Sequence, residues 1–221
     1  MLDNKTRYLQ IAFNFDANLV RSLLPRIPNS TRIMIEAGTP YIKREGMNAI
    51  RYIRRFWSGL IVADMKIADG ALDEVQMARF AGANAVTVLG NAPRETINIT
   101  IEACSEYGMA SMIDMIGVDD PLTVIRKLRK PPDVVVLHLG RDEESTRGKL
   151  IQYRHVNRIR SKFPVLISAA GGVGVKQARS AIFNGANIVV ANIVRPGGIW
   201  KGISAEEDVG VMAQKFLDEI E

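Results

Sequence analysis

Asp64 and Lys66 stand two residues apart at the close of the apolar run Leu60-Ile61-Val62-Ala63. In an extended chain, side chains two apart share a face, so the carboxylate and the ammonium meet on the side of Leu60 and Val62. A plain salt bridge would explain such a pair. Other apolar runs, however, also carry ionisable residues at their ends: Glu36, Asp114 and His138. Charged groups are costly to bury unless they are paired or bind something. Each alone could be a surface charge or a helix cap, but five gathered at one end of one sheet predict a site. Two carboxylates, Glu36 and Asp64, could seat Mg²⁺, which takes a few carboxylates and fills its remaining positions with water and substrate oxygens. Lys66 would add a fixed positive charge where an enolate or enediolate develops.

The elements that must position these residues follow from the apolar pattern. Short apolar runs predict strands at Tyr8–Phe15, Arg32–Ala37, Leu60–Met65, Ala85–Leu89, Met109–Asp114, Asp133–His138, Val165–Ala169 and Asn187–Asn192. They are rich in Val, Ile, Ala and Met, as strands buried on both faces of a parallel sheet are. Helical patterns alternate with them: Ala17–Leu24, Lys43–Trp57, Leu72–Ala81, Arg94–Tyr107, Pro121–Leu128, Leu150–Phe163, Val175–Asn184 and Glu206–Ile220. In Lys43–Trp57, the residues Met47, Ile50, Ile53 and Phe56 fall on one side, together with Ile42. Strict strand–helix alternation over eight units predicts an α/β fold, a single (β/α)8 barrel spanning residues 1–221. An open doubly wound sheet is the alternative, but no Gly-x-Gly-x-x-Gly turn follows the first strand.

In such a barrel, chemistry sits at the C-terminal ends of the strands, and phosphate is often held after strands seven and eight. Ala169-Ala170-Gly171-Gly172-Val173-Gly174 and Asn192-Ile193-Val194-Arg195-Pro196-Gly197-Gly198 occupy those places. Glycines allow backbone N–H groups to approach an anion closely. Gly171, Gly172, Asn192 and Arg195 are therefore candidate contacts for a phosphorylated ligand.

Composition narrows the function classes. The 221 residues carry a net charge of +5 and a single cysteine. Cys104 has no histidine near it in sequence and excludes both a disulfide framework and a Cys-rich metal site. A basic excess suits anionic ligands. Arg44, Arg51, Arg54 and Arg55 with Tyr52 and Trp57 read as the wet face of a helix, not as a nucleic-acid surface. His155 reads as exposed in a basic helix. No apolar run approaches the roughly 20 residues that span a bilayer. With no signal-like opening, a cytoplasmic location is expected.

Ala63-Asp64-Met65-Lys66-Ile67-Ala68-Asp69-Gly70 resembles the Asp-x-Lys-x-x-Asp signature of the orotidine 5′-monophosphate decarboxylase superfamily. Glu36-Ala37-Gly38-Thr39-Pro40, Glu45-Gly46-Met47-Asn48-Ala49-Ile50-Arg51 and His138-Leu139-Gly140-Arg141-Asp142 look like its 3-hexulose-6-phosphate synthase branch. The resemblance covers nearly the whole chain. It implies a homodimer with active sites near the subunit interface, Mg²⁺ on Glu36 and Asp64, and an enediolate stabilised by Lys66. Asp69 would complete the polar site, Asp114 would orient substrate hydroxyls, and His138 would move the proton. The metal-free orotidine branch carries a lysine where this chain has Glu36, which argues against that activity.

The implied reaction interconverts D-arabino-3-hexulose 6-phosphate with ribulose 5-phosphate and formaldehyde, a carbon–carbon lyase reaction. Arg141 instead matches the related 3-keto-L-gulonate-6-phosphate decarboxylase. The chain also departs from the pattern. Asn14 stands where the first strand normally ends in aspartate, and Ala191 or Asn192 where a glycine is usual. These departures leave room for a non-catalytic sugar-phosphate-binding relative.

Overall fold

Eight parallel strands close on themselves. In the computed structural model, which describes residues 2–147, 151, 153–197 and 200–221, each of β1 to β8 pairs with the next and β8 pairs back with β1. The strands are β1 (Tyr8–Phe13), β2 (Ile33–Ala37), β3 (Leu60–Ile67), β4 (Ala85–Leu89), β5 (Ala110–Asp114), β6 (Val134–His138), β7 (Leu166–Ala170) and β8 (Ile188–Val194). The helices are α1 (Ala17–Leu23), α2 (Thr39–Glu45), α3 (Asn48–Phe56), α4 (Ala71–Ala81), α5 (Arg94–Glu106), α6 (Pro121–Ile125), α7 (Arg141–Arg147), α8 (Val156–Arg160), α9 (Val175–Phe183) and α10 (Val209–Glu219). A two-residue strand, β9 (Ile203–Ser204), extends the C-terminal end of β8. The fold is the (β/α)8 barrel that the alternation predicts.

The strands are apolar on both faces because each faces a different core. One set of side chains, including Tyr8, Ala12, Met34, Val62, Met112, Val136 and Val190, fills the barrel interior. The alternate set, including Leu9, Ile11, Ile35, Ile61, Val86 and Ile113, packs in the larger core that includes helix residues such as Ile50, Val75 and Ile101. The inward set turns polar towards the strands' C-terminal ends, where Glu36, Asp64, Asp114 and His138 appear.

Several boundaries differ from the sequence pattern. The pattern over Lys43–Trp57 becomes two helices, because Gly46 takes a positive φ of 60° that an L side chain resists and stops α2. Phe56 is exposed, whereas Trp57 is buried. Arg54 is not on a wet face either: its guanidinium donates to the carbonyls of Trp57, Gly59 and Gly82 and to Asn84 Oδ1. The expected helix Leu150–Phe163 begins outside the described residues; what is described is a tight 3₁₀ turn at Tyr153–His155 followed by α8. His155 is buried, not exposed: Arg154 Nε donates to its Nε2 at 3.0 Å, and Asp120 Oδ1 lies 3.4 Å from its Nδ1. The helix α7 has no counterpart in the apolar pattern, since Arg141-Asp142-Glu143-Glu144-Ser145-Thr146-Arg147 contains no apolar residue.

Candidate active site

The polar ends of the strands surround a cavity of about 200 Å³ at the C-terminal mouth of the barrel. Asn14, Glu36, Asp64, Lys66, Asp114, His138, Arg141, Gly171 and Asn192 all line it. Gly172, Asp69 and Arg195 do not. Asp69 is exposed between β3 and α4, and Arg195 stacks its guanidinium over the Phe15 ring at 4.9 Å. Gly198 lies outside the described residues. Gln10, Thr39 and Thr87 also line the cavity, and nothing marks them in the sequence beyond polarity within or beside apolar runs.

Lys66 and Asp64 do meet, but not through simple strand alternation. The pairing of β3 with β4 slips between Ala63 and Ile67. Within this irregularity Lys66 is the single non-glycine residue with a positive φ among those described, at 51°. A left-handed conformation costs an L residue roughly 1–2 kcal/mol. The surroundings hold it there. Lys66 N donates to Thr87 Oγ1 at 2.9 Å. Thr87 Oγ1 in turn donates to Asp64 Oδ1 at 2.8 Å. The lysine Nζ lies 3.2 Å from Asp64 Oδ1 and closer still to Asp114 Oδ2. Although burial alone would lower its pKa, Asp64 and Asp114 outweigh burial and hold the ammonium charged.

Asp114 is the hub. It is 1% exposed. Burial raises a carboxyl pKa, but His138 and Lys66 more than offset this and keep Asp114 ionised. His138 Nδ1 lies 2.8 Å from Asp114 Oδ2 and 3.0 Å from Oδ1. The tautomer that places the proton on Nδ1 to donate to this carboxylate leaves Nε2 as the nitrogen able to accept one.

Glu36 and Asp64 form the second half of the site. Thr39 holds Asp64 Oδ2 through its backbone N–H at 3.3 Å and its hydroxyl at 2.6 Å. Glu36 is pushed up from 4.5 to about 7, first by burial and then by the neighbouring charge of Asp64. A buried pair of like charges is relieved by a cation between them. Among the described residues, no group of three or more His, Cys, Asp or Glu side chains could hold a metal. The pair can therefore offer two ligands, with the others left to substrate and water, as Mg²⁺ tolerates.

The glycine turn after β7 is sterically required. A Cβ on Gly171 would lie 2.1 Å from the Leu139 carbonyl oxygen, and its φ is 97°. Cys104 is buried and pushed up to about 12 by burial, which leaves it unfit as a nucleophile.

The sequence profile of the orotidine 5′-phosphate decarboxylase / HUMPS family matches residues 7–196. The chain belongs to this family. Among curated relatives, the "Bifunctional enzyme Fae/Hps" of Methanothrix thermoacetophila is 36% identical over 215 residues, covering 96% of this chain and 52% of that protein. The chain thus spans about half the length of the curated relatives it matches. The crystal structure of 3-hexulose-6-phosphate synthase from Salmonella typhimurium superposes with a TM-score of 0.83 at 27% identity, covering 96% of this chain and 98% of that one. A crystal structure of KGPDC from Streptococcus mutans gives 0.79 at 19% identity, with 97% of each chain covered; that likeness is one of fold.

The two departures from the family pattern turn out to be partners. Asn14 Nδ2 donates to Asn192 Oδ1 at 2.8 Å. Asn192 lies within β8 and not in the loop after it, so the neutral Asn14 spends its donor on the neighbouring strand.

Proposed function

We propose that this chain is an Mg²⁺-dependent aldehyde-lyase that interconverts D-arabino-3-hexulose 6-phosphate with ribulose 5-phosphate and formaldehyde. The observation that carries the reading is the Lys66–Asp114–His138 array facing the Glu36–Asp64 pair within one cavity. The identity to relatives named Fae/Hps and the likeness to the synthase structure support it.

In the synthetic direction, His138 Nε2 takes a proton from C1 of ribulose 5-phosphate. Lys66 sets a fixed positive charge against the oxygen charge of the enediolate that results. C1 then attacks the formaldehyde carbon, and the new alkoxide takes the proton back from His138. Asp114 keeps the imidazole oriented and stabilises its protonated form. Mg²⁺ held by Glu36 and Asp64 would supply Lewis acidity at the substrate oxygens. The Gly171 turn at the cavity wall is suited to the phosphate, whereas Arg195, stacked on Phe15 outside the cavity, would serve it only from the rim.

Arg141 favours a second reading, decarboxylation of 3-keto-L-gulonate 6-phosphate. It lines the cavity and stacks on Trp200 with 5.8 Å from the guanidinium to the ring centroid. A cation near the reacting carbon suits the protonation that follows CO₂ loss.

A homodimer accounts for two features of the surface. Phe80 is 76% exposed, and it lines a shallow surface hollow with Met77, also exposed on α4, and Met47 before α3; exposed large apolar side chains grouped in this way suit an interface. Asp69 precedes the same helix and would reach an active site only across that interface. The described residues contain no helix long and apolar enough to cross a membrane, and a buried free thiol suits a reducing compartment such as cytoplasm. The deciding experiment is an assay of formaldehyde consumption with ribulose 5-phosphate, with and without excess chelator. Mg²⁺-restored consumption is the expected result. Full activity in chelator removes the metal from the reading, and no consumption removes the synthase.

A further inference from the structure

Gln10 has no place in the chemistry described so far. It lies in β1, and the residues two away on either side, Tyr8 and Ala12, belong to the barrel interior. Its side chain is 3% exposed. Its Nε2 donates to Glu36 Oε2 at 2.5 Å. Its Oε1 is buried and has no hydrogen-bond partner among the described residues. A buried amide with a bare carbonyl lowers stability, whereas an apolar side chain of equal length would fill the space without that cost. Other interior positions, such as Met34, Met112 and Val190, are apolar. Packing therefore does not account for a glutamine here, and the donor aimed at Glu36 does.

We propose that Gln10 is a positioning residue of the cation seat, holding one oxygen of Glu36 through its amide N–H and leaving the other for the ion. The inference rests on the reading that Glu36 and Asp64 hold Mg²⁺. A glutamate side chain has several free torsions, and ordering it only when the ion arrives would weaken binding. A neutral donor suits the task, since a lysine or arginine there would repel the cation, whereas an amide fixes the carboxylate without competing charge. A single committed oxygen also favours one-oxygen coordination, which matches the strict octahedral demand of Mg²⁺. Asp64 is held differently, on both oxygens: Thr39 donates to Oδ2, and Thr87 and Lys66 Nζ donate to Oδ1. Removing the outer partner of a metal ligand typically weakens metal binding by roughly 10- to 100-fold.

The test is titration of the full chain with Mg²⁺ by calorimetry, together with thermal unfolding in chelator. Gln10→Met keeps the length of the side chain and removes both the donor and the orphaned acceptor. The expected result is Mg²⁺ affinity reduced roughly 10- to 100-fold in a chain that still unfolds cooperatively in chelator. Wild-type affinity in Gln10→Met overturns the inference and leaves the cation seat standing. A matching loss of affinity for ribulose 5-phosphate titrated in chelator marks a merely structural role and also overturns it. A wild-type chain that takes up no Mg²⁺ overturns the seat and the inference together. Should Gln10→Met fail to fold, Gln10→Asn, whose amide is one methylene too short to reach Glu36, is titrated in its place with the same outcomes.

Discussion

Thr87 Oγ1 accepts the backbone N–H of Lys66 at 2.9 Å, and so secures a lysine in left-handed backbone conformation in the middle of the site. The same hydroxyl donates to Asp64. One small side chain thus links the slip in strand pairing to the placement of the ammonium group. Thr87→Val keeps the shape and deletes both bonds. Leaving these buried groups unpaired costs about 1–3 kcal/mol. We expect a lowered unfolding temperature and turnover reduced about tenfold or more, since the freed strain lets Lys66 relax away from the reacting carbon. Thr87→Ser should restore both. A valine variant with wild-type turnover would mean that Asp64 and Asp114 alone position the lysine.

Lys66→Ala removes the cation itself. A charge fixed in advance against a developing enediolate is worth several kcal/mol, so turnover should fall roughly a hundredfold or more. Lys66 also shields Asp114 and Asp64, which it bridges; its loss leaves His138 Nδ1 as the remaining side-chain partner of Asp114. Circular dichroism should confirm that the barrel persists. Near-normal turnover in a folded variant would reduce Lys66 to a structural partner of two aspartates.

The metal-free protein should carry a pH signature of Glu36. Its carboxyl is raised from 4.5 to about 7 by burial and by Asp64, against the opposing pull of Gln10, Lys66 and His138. The folded state therefore holds this proton more tightly than the unfolded chain. The stability it confers is complete below about pH 4.5 and is lost as the pH rises through about 7. In chelator, unfolding temperature should fall across that window by more in the wild type than in Glu36→Gln. Equal slopes in the two proteins would show that Glu36 titrates as in the unfolded chain.

The barrel was readable because strands buried on both faces leave continuous apolar runs, each followed by a helix. The core of the site was readable for the opposite reason: Glu36, Asp64, Asp114 and His138 interrupt those runs at one end, where burial without a partner is expensive. Thr87 and Gln10 escaped because neither carries charge, and a β-branched threonine inside Ala85–Leu89 looks like any strand residue. The helix α7 escaped because none of its residues is apolar, so it leaves no periodic signal. His155 was misplaced because its burial comes from contacts with Arg154 and Asp120, which no local pattern encodes. The bulge at Lys66 is likewise a matter of pairing between strands, which the local spacing of Asp64 and Lys66 does not contain.

Asp69 tests the dimer and the site together. It lies outside the cavity of its own chain and next to the exposed apolar face of α4. Phe80→Glu should give a monomer by light scattering. Asp69→Asn and Lys66→Ala should each be inactive alone. After mixing with subunit exchange, mixed dimers hold one site with both native residues, so roughly a quarter of wild-type activity should return. Exchange without recovery would place Asp69 in the same site as its own Lys66 or outside the chemistry altogether.

Arg141 decides between the two enzyme readings. It begins α7, lines the cavity beside His138, and is braced by Trp200. Formaldehyde is small and neutral, so a guanidinium has little to bind on the incoming reactant of the aldol step. In decarboxylation, the same group can hold the water or acid that protonates the enediolate once CO₂ has left. The two assays are ribulose 5-phosphate with formaldehyde, and 3-keto-L-gulonate 6-phosphate with CO₂ detection. Formaldehyde consumption that changes less than about tenfold in Arg141→Ala is expected of a synthase, because the proton relay through His138 and Asp114 is untouched. CO₂ release that collapses in the same variant would reverse the ranking and make the decarboxylase the main activity. Silence in both assays, with sugar phosphate still bound, would turn attention to the Asn14–Asn192 pair. Asn14→Asp would then be the informative variant, since it returns to the mouth of the barrel the anionic neighbour that Lys66 lacks.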